Sequence, residues 1–174
     1  MVTVQVRRAD VSDADRIAAA YLASWRAGYA DLLPPDVLEV EVAKRAAFDW
    51  AAEIDRRSSH VAVAVTGGGG GRGDEVLGVV EACAPPGGPR DLPEVLMLYV
   101  VPEHWGTAVA TELLTNGVGW LGRQGWAAAR LRVVEAQARA RRFYEREGWR
   151  PDPDIAPAHN GFFSLPYYRR ALAP

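Results

Sequence analysis

A strand–helix–strand unit between residues 94 and 134 constrains the fold of this chain most strongly. Residues 94–101 form an apolar run that Pro102 ends, and residues 127–134 form a second one. Between them, residues 107–122 carry apolar positions at helical spacing. Two strands joined by a helix of this length lie parallel in one sheet, through a right-handed crossover. The chain is therefore predicted to contain a parallel strand pair.

The remaining strands are predicted to run antiparallel. They fall at residues 2–6, 60–65, 75–84 and 165–172, and short links join the strands at 60–65, 75–84 and 94–101. The link after the second strand contains five consecutive glycines at 67–71, but it lacks the Gly-Lys-Ser/Thr ending of a phosphate-binding loop. We interpret it as a connection between two antiparallel strands. The predicted fold class is therefore α/β, also classed α+β, with a mixed, mostly antiparallel sheet flanked by helices.

Two helices are predicted between the first and second strands. Ser12 and Asp15 have the spacing of a capping box, and the helix that they open is expected to end near Gly28. A second helix is predicted over residues 36–56, with Val40 among its inward-facing positions.

Composition limits the class of protein. The 174 residues are taken as one domain over 1–174 and carry a formal charge of −2, so a nucleic-acid-binding protein is not expected. A membrane-embedded protein is not expected either, because no run approaches the roughly 18 apolar residues that a span needs. Cys83 is the single cysteine, and the N-terminus lacks the apolar stretch of a signal peptide, so a cytoplasmic location is expected. His60, His104 and His159 do not have the spacing of metal ligands, so no metal is expected.

The turn that leads into the helix at 107–122 is a candidate anion site. Its small residues from Gly106 to Ala110 put unpaired amides at the positive end of the helix dipole, where a diphosphate can bind without a cationic side chain. The alternative is a tight strand-to-helix turn that holds no ligand. The turn alone leaves both interpretations open.

A second candidate element is the arginine-rich helix predicted over residues 137–147. Phe143 and Tyr144 lie on its apolar face, and Gly148 follows as a helix stop. Aromatic residues at this spacing usually pack in a core, and arginines on the other face are usually solvated. The functional alternative is that some of the arginines bind a terminal phosphate.

Taken together, the two stretches resemble the GCN5-related N-acetyltransferase (GNAT) family over nearly the whole chain. The family pattern Gln/Arg-x-x-Gly-x-Gly/Ala is occupied by residues 105–110, of which only Ala110 matches. Gln137 stands where the family often has asparagine, and Phe143–Tyr144 match a Phe-Tyr pair on the last major helix. The resemblance implies a three-layer fold with a splayed parallel strand pair, and transfer of an acetyl group from the co-substrate acetyl-CoA to a primary amine of a small molecule or peptide.

The resemblance also implies roles for individual residues. Tyr144 is the expected general acid that protonates the leaving thiolate, and Glu94 is the candidate general base. A backbone amide near Val100 or Val101 is expected to polarise the thioester carbonyl. The implied cofactor-binding residues are Tyr99, Val100, Val101, Trp105, Gly106, Thr107, Ala108, Val109, Ala110, Gln137, Arg141 and Arg142, and the implied acceptor-side residues are Trp25, Tyr29, Asp31, His159 and Asn160.

Departures from the family pattern keep other functions open. Trp105, Ala108 and Gln137 all differ from it, so a module that binds acyl-CoA without turnover is the main alternative. A protein-interaction domain with an unused cleft is a third. A homodimer is left open as the commonest closed assembly, and the sequence does not identify the acceptor.

Overall fold

The computed structural model describes residues 4–67, 74–85 and 92–172. No helix in these ranges combines the length and the apolar character that crossing a bilayer requires. The strands and helices are, in chain order, β1 Val4–Arg8, α1 Ala14–Tyr29, α2 Pro35–Ala46, α3 Trp50–Asp55, β2 Ser59–Thr66, β3 Val76–Cys83, β4 Glu94–Val100, α4 Val109–Arg123, β5 Ala128–Arg132, α5 Ala138–Arg146, β6 Arg150–Pro151, β7 Ala158–His159, β8 Ser164–Leu165 and β9 Tyr167–Ala171.

The main sheet has the strand order β1-β2-β3-β4-β5-β9-β6. Neighbouring strands in this sheet pair antiparallel, except for β4 and β5, which are parallel and are joined through α4. The predicted mixed, mostly antiparallel sheet is confirmed. β2 and β3 pair antiparallel as expected, while residues 68–73 of the glycine-rich link lie outside the described residues.

Helices cover both faces of this sheet. Alternation along β3 directs Val79 into the core beneath α1 and Val80 into the core beneath α4. The helix α4 comes close to the sheet at Gly117, where a methyl group would lie 3.2 Å from Val80 Cγ2. Glycine at this position therefore permits the close packing that fixes α4 over β3 and β4.

A bulge in β4 shapes the centre of the sheet. Val95 pairs with Ala82 and Met97 pairs with Glu81, so Leu96 is an extra residue with no partner on β3. A bulge of this kind bends its strand and increases the local twist.

The parallel pairing of β4 and β5 ends at this bulge. It comprises Glu94 with Arg130 and Val95 with Leu131, after which the two strands diverge. The splayed parallel pair expected from the family resemblance is therefore present, and its opening faces the start of α5.

The predicted single helix over residues 36–56 is wrong, because the chain breaks it into α2 and α3. Asp49 is the N-cap residue at which α3 begins, and its Oδ1 accepts a hydrogen bond from the Ala52 amide at 3.0 Å. Val40, which was expected to face inward, is 55% exposed. The inward-facing positions of α2 depend on the direction of its own axis. The prediction of one continuous helix gave that axis the wrong direction, so it assigned Val40 to the wrong face.

The predicted capping box at Ser12 and Asp15 is also displaced. Asp10 Oδ1 accepts from the Ser12 amide at 2.9 Å, and Asp13 Oδ2 accepts from the Asp10 amide at 2.8 Å. This reciprocal pair caps a short 3-10 turn, and α1 begins after it at Ala14.

The last predicted strand, 165–172, is divided in two. Leu165 pairs with Ala158 in the β7–β8 hairpin, whereas β9 begins at Tyr167 and pairs with β5. Pro166 lies between them and has no amide hydrogen to continue a ladder.

Candidate active site

Two adjoining cavities lie along the opening between β4 and β5. The strand cavity, about 240 Å³, lies between the diverging strands and is lined by Tyr29, Met97, Tyr99, Arg132, Gln137 and Leu165 together with neighbouring backbone. The turn cavity, about 260 Å³, lies between the turn before α4 and the outer face of α5. Leu98, Ala140 and Tyr144 line both cavities. The two cavities are therefore adjacent and meet at these three residues, and we refer to the pair of cavities as the groove.

The end of β4 supplies backbone donors to this groove. The Val101 amide donates to the Leu77 carbonyl on β3 at 2.9 Å, so it is not available to a ligand. Backbone groups of successive strand residues point to opposite sides, so the N–H and C=O of Val100 point into the opening. The indole N–H of Trp105 donates to that Val100 carbonyl oxygen at 2.6 Å. The Val100 amide is therefore the donor that faces the groove.

The turn between β4 and α4 presents further amides to the turn cavity. Gly106 has φ +81°, a left-handed conformation that glycine adopts readily, and Thr107 donates from Oγ1 to the His104 carbonyl at 2.7 Å. Ala108, the residue before α4, has right-handed helical dihedrals and is exposed. The amides of the first helical turn after Ala108 have no intrahelical acceptor and lie at the positive end of the dipole.

Cationic side chains reach the turn cavity from α5. The Arg139 guanidinium lies 3.5 Å from the centre of the Trp105 ring, within cation–π distance. Arg142 and Arg146 line the same cavity. Arg141 points elsewhere and donates from Nη1 to the Glu135 carbonyl at 3.0 Å. The positive charge that Trp105 does not provide therefore comes from the other side of the groove.

Three tyrosines, Tyr29, Tyr99 and Tyr144, line the strand cavity, and Tyr144 lines the turn cavity as well. Burial raises the pKa of the Tyr144 phenol well above its usual value, and the proximity of Tyr29 adds to the shift. Burial also raises the pKa of Tyr29 to about 12 and that of Tyr99 well above its ordinary value. All three phenols are protonated at neutral pH, so they can donate a proton or a hydrogen bond there.

Aromatic side chains of α1 pack together on the side of the strand cavity that faces this helix. Trp25 is buried and stacks on Tyr29, with ring centres 4.2 Å apart, and the Arg45 guanidinium lies 3.8 Å from the Trp25 ring centre. Phe163, in the turn of the β7–β8 hairpin, also packs against Tyr29. Gln137 donates to the Gly28 carbonyl at 3.3 Å, which links the start of α5 to the end of α1.

Glu94 lies at the base of the opening and is held by two arginines. Arg132 donates from Nε to Glu94 Oε1 at 2.7 Å, and Arg130 donates from Nε to Oε2 at 3.3 Å. Glu94 does not line either cavity. Its carboxylate is engaged in ion pairs rather than directed at the groove.

The sequence matches the model of the acetyltransferase (GNAT) family over residues 19–149, which is most of the chain. The chain belongs to the GNAT acetyltransferase family. Acyl transfer from an acyl-CoA donor is the general activity that this membership supports. No curated protein sequence matches the chain.

Solved structures share the GNAT fold of this chain. The PaiA N-acetyltransferase of Thermoplasma acidophilum, in complex with coenzyme A, superimposes with a TM-score of 0.76 at 17% identity, covering 95% of this chain and 98% of that one. A GCN5-related N-acetyltransferase from Kribbella flavida superimposes with a TM-score of 0.68 at 23% identity, covering 97% and 98%. At these identities the likeness concerns the fold.

The structure brings many of the predicted GNAT site residues to the groove, but not all of them. Those that line it are Tyr29, Tyr99, Val100, Trp105, Gly106, Thr107, Ala110, Gln137, Arg142 and Tyr144. Those that do not are Trp25, Asp31, Glu94, Val101, Ala108, Val109, Arg141, His159 and Asn160.

Two of the residues outside the groove have structural roles. Trp25 is packed behind Tyr29, and Asn160 holds the tip of the β7–β8 hairpin by accepting from the Phe163 amide at 2.9 Å. Asp31 and His159 are exposed on the surface.

Sequence reasoning considered the arginines of this helix as phosphate ligands but selected Arg141 and Arg142, and not Arg139 and Arg146, which line the groove. A spacing of three and seven residues puts Arg139, Arg142 and Arg146 on one helix face, whereas Arg141 projects from another. That spacing, combined with an aromatic residue where the GNAT pattern has Gln or Arg, was the available signal.

Proposed function

We propose that this protein transfers an acetyl group from acetyl-CoA to a primary amine by direct attack, without a covalent enzyme intermediate. One observation supports this best: Tyr144 lines both cavities, and Val100, whose amide points away from β3, lines the turn cavity with it. A thioester in this groove would have a hydrogen-bond donor on one side and a proton donor on the other.

The coenzyme end of the proposal rests on the turn cavity. The amides at the start of α4 lack intrahelical acceptors, and that of Val109 makes only a long hydrogen bond of 3.4 Å to Thr107 Oγ1, so they suit a diphosphate. Arg139 and Arg142 add the positive charge. The pantetheine arm would then extend from this cavity past Tyr144 and between β4 and β5. In this arrangement Arg139 and Arg142 make up for the departure at Trp105 without loss of the anion site.

The chemical step uses two groups of the chain. The neutral amine nitrogen attacks the thioester carbonyl carbon, and the Val100 amide stabilises the oxyanion of the tetrahedral intermediate. The carbon–sulfur bond then breaks, and the thiolate takes the phenolic proton of Tyr144 to leave as coenzyme A thiol. The phenolate is reprotonated from water, and the nitrogen loses its extra proton to give the amide product.

The proton of the amine needs an acceptor, and Glu94 is poorly arranged for that role. Its oxygens are occupied by Arg130 and Arg132, so taking a proton would disrupt an ion pair. Among the described residues, no carboxylate lines the strand cavity. We therefore propose that the amine enters as the free base and gives its proton to water at the mouth of the groove.

Two measurements test this function. Acetyl-CoA at about 100 times its dissociation constant should stabilise the folded protein by about 2.7 kcal/mol in thermal unfolding. Release of coenzyme A thiol with a panel of primary amines then separates an enzyme from a module that only binds acyl-CoA. Stabilisation without thiol release for any amine would contradict catalysis, and no stabilisation would contradict the coenzyme site itself.

A further inference from the structure

The strand cavity contains one charged side chain among its lining residues, and it is a cation. Arg132 lines the cavity with Tyr29, Tyr99 and Tyr144, and the other lining residues are uncharged. Its position in β5 explains the direction of the side chain: Leu131 and Val133 on either side belong to the core beneath α4, so Arg132 projects from the opposite face, on the side of α1.

Arg132 belongs to a cluster whose positive charge exceeds its negative charge. Arg130 and Arg132 share one carboxylate, that of Glu94, and each donates to it from Nε. Two guanidinium groups against one carboxylate leave a net charge of +1. Within the described part of the chain, the terminal Nη nitrogens of Arg132 make no hydrogen bond, and its side chain is 40% exposed.

The cluster is held in place from the neighbouring strand. The Tyr167 ring centre lies 5.4 Å from the Arg130 guanidinium and 5.9 Å from that of Arg132. Arg169 stands opposite Arg130 in the register of β5 and β9, on the same face of the sheet, and is exposed. This face therefore presents further positive charge beside the cavity mouth.

We propose that Arg132 binds a carboxylate on the acceptor, so that the substrate is a small amino acid rather than a plain amine or a polyamine. The inference rests on the proposed acetyl transfer and specifies its substrate class. A polycationic amine would be repelled by the arginines and would find no carboxylate in the cavity lining, whereas an amino acid would gain a charge-assisted bidentate contact. The strand cavity of about 240 Å³ also has to admit the thioester end of the pantetheine arm, so the space that remains favours a small acceptor.

The test compares free amino acids with their own carboxamides as acceptors. Each pair has the same side chain, and the carboxamide amine loses its proton more readily, so reactivity alone favours the carboxamide. We expect kcat/KM for the preferred amino acid to exceed that of its carboxamide at least tenfold, and Arg132→Gln to abolish this ratio. Glu94 keeps its contact with Arg130 in that variant.

Arg170→Gln is the matched control, because Arg170 pairs in register with Ala129 and therefore projects from the opposite face of the sheet. This control should keep the tenfold ratio and the wild-type affinity for coenzyme A. A ratio near one in the wild-type enzyme, or a ratio that Arg132→Gln leaves unchanged, overturns the proposal.

Calorimetric binding of the same acceptors to the coenzyme A complex separates this inference from the proposed function. If no amine is acetylated, but the amino acid binds at least tenfold more tightly than its carboxamide and loses that advantage in Arg132→Gln, the carboxylate site stands and catalysis does not. If neither binding nor turnover distinguishes the pair, the carboxylate site is overturned.

Discussion

Arg139 and Trp105 form a stacked pair that joins α5 to the end of β4. The guanidinium lies 3.5 Å from the indole ring centre, and the same indole donates its N–H to the Val100 carbonyl at 2.6 Å. Trp105 therefore serves both as a platform for a cation and as a hydrogen-bond partner of the strand beside the groove. We propose that the pair takes the place of the Gln or Arg of the family pattern, with Trp105 holding the position and Arg139 supplying the charge.

Arg139→Gln should weaken acetyl-CoA binding about ten- to a hundredfold, because a charge-assisted hydrogen bond contributes about 1.5–3 kcal/mol. Acetyl-pantetheine lacks the diphosphate and the nucleotide, so its affinity should not change. Titration calorimetry with both donors measures the difference. Arg141→Gln is the control on the same helix, since Arg141 donates to the Glu135 carbonyl outside the groove. Equal losses for both donors would contradict a phosphate contact.

Ala108→Gly should tighten acetyl-CoA binding, because it removes a methyl group beside the amides expected to hold the diphosphate. The backbone at Ala108 has φ −70° and ψ −12°, so the site keeps its shape with either residue. Glycine is also a better residue than alanine before a helix, so stability should not fall. Calorimetry on the two proteins measures the change, and an unchanged dissociation constant would remove the crowding argument.

Gly106→Ala provides the opposite case in the same turn. No atom lies within 4 Å of where its methyl group would be, so crowding is not the issue. Its φ of +81° is nevertheless unfavourable for alanine, at a cost of about 1–2 kcal/mol. This variant should lose stability and coenzyme affinity together, measured by urea unfolding and calorimetry. Full wild-type values for both would show that the turn does not depend on this conformation.

The mixed, mostly antiparallel character of the sheet could be predicted from the sequence because its signals are local and independent, whereas β6 and the β7–β8 hairpin were not predicted. The crossover between residues 94 and 134 indicates one parallel pair of strands, and each short link indicates one antiparallel pair. The break at Asp49 could not be predicted in the same way, because apolar positions continue across it at nearly helical spacing. Tertiary packing of Trp50 and Ile54 under the sheet, rather than propensity, decides where α3 lies.

The site was predictable to the level of elements but not of every side chain. The turn at Gly106 and the helix with Tyr144 are sequence motifs, and both line the groove. Which arginine of α5 enters the groove depends on the rotation of that helix about its axis. An error of one residue in that rotation directs a different arginine into the groove. The hydrogen bond from the Val101 amide to the Leu77 carbonyl likewise depends on strand register, which the sequence does not specify.

Tyr144→Phe should lower kcat by about a hundred- to ten-thousandfold while acetyl-CoA affinity stays nearly constant, since the variant loses a general acid but keeps the ring. The ring packs edge-on against Phe143 and Trp149, so the fold should tolerate the change. Because the Tyr144 pKa is raised, wild-type activity should also persist on the alkaline side of neutral pH. Steady-state kinetics and calorimetry measure both effects. Unchanged kcat would exclude this role for Tyr144.

Tyr29→Phe is the matched control for that variant. Tyr29 lines only the strand cavity, and its pKa is likewise raised by burial. Its phenol can orient an acceptor but is not expected to protonate the thiolate. We expect a change in KM for the amine that exceeds the change in kcat. A larger change in kcat than in KM would indicate that Tyr29, and not Tyr144, protonates the thiolate.

Glu81 makes stability depend on pH in a direction opposite to that of most carboxylates. Its side chain is 1% exposed, and its Oε1 accepts from Arg56 and from Ser59 at 3.0 Å each. Burial, together with the nearby Glu53, raises the pKa of Glu81 to about 7. The folded state therefore binds this proton more tightly than the unfolded state, where the pKa has its ordinary value.

The Glu81 contribution to the free energy of unfolding should be complete below about pH 4.5 and should be lost as pH rises through 7. Glu81→Gln keeps the shape of the neutral acid and has no proton to lose, so it should gain stability relative to wild type between pH 5 and 8. Each pKa unit corresponds to about 1.4 kcal/mol, so the difference should reach a few kcal/mol. Urea unfolding of both proteins at several pH values measures it. Glu39→Gln, which removes an exposed ion pair with Arg26, should run parallel to wild type over this range. If Glu81→Gln also runs parallel, Glu81 is ionised throughout and its burial does not control the pH dependence.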